Sequence, residues 1–233
     1  MMKKLISFLT LGILLTCGTA VTSLGKYNPP EEKSTPSRYT RSTGSRGTCN
    51  ANTEIPLTLL APYTHVGQTS SQYPLLAWYV SETDSRAMNL SIYQKDRDRE
   101  PKLIYGFKLK NPGGIIKFSL PRNRSGLKRG SRYIWQVELI CDRTFPAKNV
   151  VASAEIEVVG EKVSRDRLWY DTLELSLEAA QKRLVTQQTK ALLKQLALLE
   201  KQVNNKGIIQ SQRLMKVLLL ENPLQISEPE LAE

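Results

Sequence analysis

Few residues of this chain can do chemistry, and their spacing narrows what it can be. His65, in the polar loop YTHVGQTSS, is the single histidine among 233 residues. One imidazole cannot build a two- or three-histidine metal site. His65 therefore reads as a solvated loop residue, with a lone general base as the sharper alternative. The carboxylates Glu155, Glu157, Asp171 and Glu174 are left, by elimination, for acid–base work. SGLK, from Ser125 to Lys128, matches half of the signature of a penicillin-recognising enzyme. Its companion motifs are missing, and it falls in a turn instead of at a helix start. There is no phosphate-binding glycine-rich loop, no nucleophile elbow and no Cys-x-x-Cys. This inventory names no catalytic residue, no cofactor and no metal.

The cysteines speak to compartment instead. Cys17 lies in MMKKLISFLTLGILLTCGTAVTSLG, where Lys3 and Lys4 precede a weakly polar-to-apolar run from Leu5 to Leu15. That run is shorter than the roughly 20 apolar residues of a membrane span. Residues 1–23 read as a secretory signal peptide, cleaved after Ala20 or Ser23. Acylation at Cys17 is the weaker alternative, because Thr16 stands where lipoprotein signals carry a small residue. Cleavage leaves Cys49 and Cys141, an even pair that points to one disulfide in an exported chain. A periplasmic or extracellular protein with no transmembrane span after cleavage is expected.

A formal net charge of +11 invites an anionic partner. The densest cations open the stretch GLKRGSRYIWQVELICD, residues 126–142, beside two large aromatics. Tyr133, Trp135, Val137, Leu139 and Cys141 occupy alternate positions, so these aromatics belong to a core strand. A base-stacking platform needs exposed rings, and no nucleic-acid partner is expected. The cations belong to the loop before that strand. In a sandwich, Arg122, Arg124, Lys128, Arg129 and Arg132 share one pole with the loop QKDRDREPK. Such a pole keeps the protein soluble, or forms a patch for an anionic envelope surface or acidic partner.

Period-two patterning recurs from about residue 55 to 160. Leu57, Leu59 and Ala61 share a face, as do Leu76, Trp78 and Val80, then Met88, Leu90 and Ile92. Leu103, Tyr105, Phe107 and Leu109 come next, then Ile116, Phe118 and Leu120, and finally Ala154, Ile156 and Val158. These are half-buried strands divided by turn residues. Leu127, Gly130 and Tyr133 fit a tyrosine corner. The expected fold is mainly β with an α-helical tail: an immunoglobulin- or fibronectin-III-like antiparallel sandwich over residues 49–160. Residues 24–48 read as a disordered linker, having little to bury.

Beyond Gly160 the period changes. Trp169, Leu173, Leu177, Ala180 and Leu184 recur at helical spacing, and so do Leu192, Leu196, Leu199 and Val203. The break at VTQQT predicts a helical hairpin, NNKG ends its second helix, and SQRLMKVLLLENP supplies a third. The tail spans 161–222, and its leucine stripes need the sandwich or a protein partner to cover them. Residues 223–233 form an acidic end expected to fray.

RGTC, LTLLAP, YPLLAWYV, RYIWQVELICD and LWYDTLE together resemble a cyanobacterial family of exported proteins, catalogued as domain of unknown function nine-two-eight. The matching positions are Arg46, Gly47, Cys49, Tyr73 and Pro74. Arg132, Tyr133, Trp135, Ile140, Cys141 and Asp142 match as well, together with Trp169, Tyr170 and Asp171. The resemblance implies no activity. The expected function is that of an exported, non-catalytic binding or adaptor protein, with a hydrolase or accessory subunit using acidic residues as the alternative. The disulfide is also expected from strand direction: the Cys141 strand runs toward the pole where the chain enters at Cys49.

Overall fold

Strands form where the sequence alternates, and the apolar side of each alternation faces inward. The computed structural model describes residues 26–31, 34–36, 49, 55–81, 86–96, 99–179, 185–220 and 225–232. Cys17, the signal segment, residues 37–48, Ala180 and Leu184 lie outside them. Among the described residues are nine strands and three α-helices. The strands are β1 (Thr58–Leu59), β2 (Gly67–Thr69), β3 (Leu75–Val80), β4 (Met88–Lys95), β5 (Lys102–Leu109), β6 (Gly114–Ser119), β7 (Arg132–Leu139), β8 (Val150–Val158) and β9 (Ile226–Ser227). The helices are α1 (Trp169–Glu178), α2 (Gln187–Lys201) and α3 (Asn205–Leu218).

Two sheets pack face to face, with strand orders β1-β3-β6-β9 and β2-β8-β7-β4-β5. The sandwich agrees with expectation, but its sheets are mixed instead of antiparallel. β2 runs parallel to β8, and β9 runs parallel to β6. Both parallel strands are short edge additions from segments that cross between the sheets. Tyr133, Trp135, Val137 and Leu139 are buried as the alternation requires. The tyrosine corner forms: Lys128 N–H donates to the Tyr133 hydroxyl at 2.8 Å, and Gly130 takes φ +72°. A left-handed residue there suits glycine. Leu103 departs from its expected inward face and is exposed. The register shifts within the β4–β5 pair, where Ile92 meets Tyr105 but Tyr93 meets Leu103. The extra residue turns the start of β5 outward.

The helices close one flank of the sandwich. Trp169 Nε1–H donates to the Leu60 carbonyl at 3.0 Å, and Trp135 Nε1–H donates to the Tyr170 hydroxyl at 2.8 Å. α1 thus plugs the gap between β2 and β3, at the edge where the sheets part. Its cover explains why all six residues of β3 are buried and not only alternate ones. NNKG starts the third helix instead of only ending the second. The Asn204 side chain accepts the Gly207 N–H at 3.0 Å, which is N-cap geometry. A Cβ on Gly207 would sit 2.2 Å from the Glu200 carbonyl oxygen, so only glycine permits this tight α2–α3 turn.

Two segments expected to lack structure are ordered where they are described. In the supposed linker, Tyr27 is fully buried and packs edge-on against Trp169, 5.0 Å between ring centroids. Gln195 grips its backbone on both sides, accepting the Tyr27 N–H and donating to its carbonyl. The Asn28 N–H donates to the Asp166 carbonyl and the Val66 N–H to the Ser34 carbonyl, so backbone bonds join the buried ring in anchoring the described parts of this segment. The acidic end does not fray either. Ile226 is buried in β9, and the Leu231 backbone bridges to Leu109 of β5. Glu228 pairs with Lys117 and Glu230 with Lys110.

Cys49 and Cys141 form a disulfide, with Cα atoms 5.0 Å apart.

Candidate functional site

The end of β4, the turn before β7 and the end of β8 meet at one pole. Register places Lys95 opposite Arg132, and Arg132 opposite Glu157. Together with Asp96, Gly130 and Ser131 these residues line an open cleft of about 360 Å³. The Arg132 guanidinium donates to Glu157 at 3.3 Å and to the Ser34 hydroxyl at 2.7 Å. Lys95 lies 3.7 Å from the fully buried carboxylate of Glu155. The cleft walls therefore hold cations in fixed positions through carboxylates placed beneath or beside them.

The other four expected patch residues do not line the cleft and lie on the turn that precedes β7. Arg122, Arg124, Lys128 and Arg129 are all exposed. Arg122 lies over the Tyr73 ring, 5.4 Å from its centroid, a cation–π position. Arg129 pairs with Glu161 at 2.7 Å. The QKD start of the second basic loop joins the pole through Lys95 and Asp96. Sequence reasoning missed Ser34, because nothing in a Ser/Pro-rich segment signals docking on an arginine.

His65 is corrected from solvated to buried. Its Nε2 lies 2.7 Å from the Tyr27 hydroxyl, and its Nδ1 lies 3.5 Å from Thr64 Oγ1 and 3.9 Å from Glu200. The fully buried Glu200 accepts the backbone N–H of Tyr63 at 2.9 Å and of Thr64 at 3.0 Å. The loop is polar because it satisfies these groups beneath α2, not because it faces water. Burial pushes the Tyr27 hydroxyl far above the ordinary tyrosine range. Such a phenol is a poor nucleophile, and the network serves as a buried clamp.

The four carboxylates divide between β8 and α1. Glu157 takes Arg132 and accepts from the Gln68 amide at 3.1 Å. Asp171 accepts from the Ser70 N–H at 3.1 Å and from the hydroxyls of Thr69 and Ser70. Glu174 is held above the usual carboxylate range. Desolvation of its half-buried side chain is the main cause, and repulsion from Glu178 and Asp171 adds to it. SGLK lies in an irregular loop between two turns, not at a helix start, with the Ser125 carbonyl accepting the Tyr105 hydroxyl. Among the described residues no three His, Cys, Asp or Glu side chains gather as a metal site would require. No described helix is long and apolar enough to cross a membrane.

No curated protein matches the chain. The family model described as Domain of Unknown Function (DUF928) matches residues 41–167, which include both cysteines of the disulfide, the tyrosine corner and the whole basic pole except Ser34. More than half of the sequence is thereby covered, and the chain belongs to the DUF928 family.

Proposed function

We propose that this is an exported, non-catalytic binding or adaptor protein of the cell envelope, with the basic pole as its binding surface. The observation that carries the reading is the pole itself. Arg122, Arg124, Lys128 and Arg129 are exposed on the turn that leads into Arg132, and Arg132 and Lys95 line an open cleft. Lys95, Arg122, Arg124, Lys128, Arg129 and Arg132 outnumber the carboxylates Asp96, Glu155, Glu157 and Glu161 beside them, and such an excess attracts an oppositely charged surface, so an anionic envelope polymer or an acidic protein face suits it. The disulfide supports export, since such bridges persist in oxidising compartments. An immunoglobulin- or fibronectin-III-like identity for the sandwich is supported by the β4-β7-β8 sheet facing β1-β3-β6, and by the tyrosine corner. A protein partner held through the helical tail would use the outward surfaces of α2 and α3, because their inward stripes are buried.

Sedimentation of the mature protein with envelope material tests the reading. Binding should weaken as salt rises and should be lost when Arg124, Lys128 and Arg129 are all replaced by serine. Full binding by that triple variant would overturn it. The alternative of an envelope hydrolase draws on Glu174, whose raised pKa is a trait of general acids. Hydrolysis of an envelope polymer that disappears in Glu174→Gln would favour the alternative.

A further inference from the structure

The α2–α3 hairpin carries an exposed apolar tip. Leu198 is 52% exposed, Val203 46%, Ile208 36% and Ile209 45%. All four flank the turn after Lys201. At about 1.5 Å rise per residue, Leu198 and Ile209 lie within about 6 Å of that turn along their helix axes. Scattered surface leucines need no explanation, but four large exposed aliphatics are concentrated at this one end of the hairpin.

The charges around the tip have one sign. Between Gln187 and Leu219 the chain carries Lys190, Lys194, Lys201, Lys206, Arg213 and Lys216. Glu200 is its single carboxylate and is fully buried. Lys201 and Lys206 stand at the tip itself, and the other exposed tip residues, Gln202, Asn204 and Asn205, are uncharged. An apolar knob ringed by lysines is complementary to a surface with anions outside and hydrocarbon about 5–10 Å beneath. Pairing two such knobs face to face would bring like charges together, which disfavours a second copy as occupant.

We infer that the α2–α3 tip docks the protein onto an anionic lipid bilayer, with Leu198, Val203, Ile208 and Ile209 entering the interface and Lys201 and Lys206 meeting headgroups. This rests on the envelope reading and names the surface met by the helical face, while leaving the basic pole free for a second ligand. Each lysine near such a surface contributes roughly a fivefold factor in affinity. The clamp between Glu200 and the Tyr63–Thr64 backbone holds the tip rigidly against the sandwich, so docking would orient the whole molecule.

The test is flotation of the mature chain with vesicles of phosphatidylcholine alone, or with a third phosphatidylglycerol. Binding is expected only to the anionic vesicles. The Lys201→Glu/Lys206→Glu variant should lose at least about twentyfold. The Leu198→Gln/Ile208→Gln/Ile209→Gln variant should bind weakly even at low salt, where purely electrostatic contact would persist. All five replacements are at exposed positions, and an unchanged urea midpoint verifies the fold. The Arg124/Lys128/Arg129 serine variant should float like the wild type; if it alone fails to bind, the pole and not the tip is the lipid surface. No binding to either vesicle overturns the inference but leaves the pole reading standing, since the vesicles hold lipid only. Concentration-dependent dimerisation abolished by the glutamine variant, without flotation, would assign the tip to self-association.

Discussion

Removing the Glu200 carboxylate should destabilise sheet and helices together. It is fully buried on α2 and accepts the backbone N–H groups of Tyr63 and Thr64, with His65 Nδ1 3.9 Å away. Glu200→Ala leaves the part-buried amides of Tyr63 and Thr64 without their carboxylate acceptor, each costing about 1–3 kcal/mol. The two together predict a loss of about 2–6 kcal/mol. For a chain of this size that lowers the melting temperature by roughly 10 °C. Glu200→Gln keeps one acceptor oxygen and should lose about half as much. Tryptophan fluorescence in a urea titration is the suitable assay. Trp78 and Trp135 lie in opposite sheets and Trp169 in α1, all fully buried. One shifted cooperative transition is expected. A shift below about 1 kcal/mol would refute the clamp. A separate early transition, with the sandwich still folded, would refute the coupling of helices to sheets.

Trp135→Ala should cost about 3–5 kcal/mol, because it empties the core and leaves the Tyr170 hydroxyl without its indole donor. Replacing Arg124 and Arg129 by serine should stay within about 0.5 kcal/mol in the same urea titration. Glu174 has a folded pKa raised above its unfolded value. Its contribution is therefore full below the unfolded pKa and lost as pH rises through the folded one. Glu174→Gln should then stabilise at neutral pH and lose that advantage in acid, as parallel melts at the two pH values would show. Reducing the Cys49–Cys141 bridge, which spans a sequence separation of 92, should cost at most about 4–5 kcal/mol in the chain-entropy model. Two alkylatable thiols in natively exported protein would show that the bridge does not form.

Much of the sandwich was legible because strand burial is written in local alternation, as in Tyr133 to Leu139. The disulfide was legible because strand direction decides which ends meet. What stayed hidden depends on contacts distant in sequence. Tyr27 lies 38 residues from His65 and 168 from Gln195, and nothing near it signals burial. His65 in a polar loop looks solvated until α2 is known to lie over it. Leu103 misled because one bulge reverses the faces of everything before it. At the pole, the exposed cations were legible from composition. Ser34 and the buried Glu155 beneath Lys95 were not, since a glutamate alternating with alanine and isoleucine reads as facing water.

The segment matched by the family model is not the whole folding unit. It ends at Arg167, two residues before Trp169 fills the gap beside Leu60. The C-terminal third closes both flanks of the sandwich. α1 covers the β2 and β3 side, while β9 pairs with β6 and Leu231 bridges to β5 on the other. Unpaired sheet edges invite association with other chains, and here the helices and the last strand cover them. A chain truncated after Arg167 would uncover Leu60 and the side of β3 that α1 packs against, and would strand the Trp135 indole N–H. It should therefore aggregate, or melt without cooperativity in urea. A soluble truncated chain with a cooperative transition would show instead that the sandwich stands alone and that the helices are an appendage.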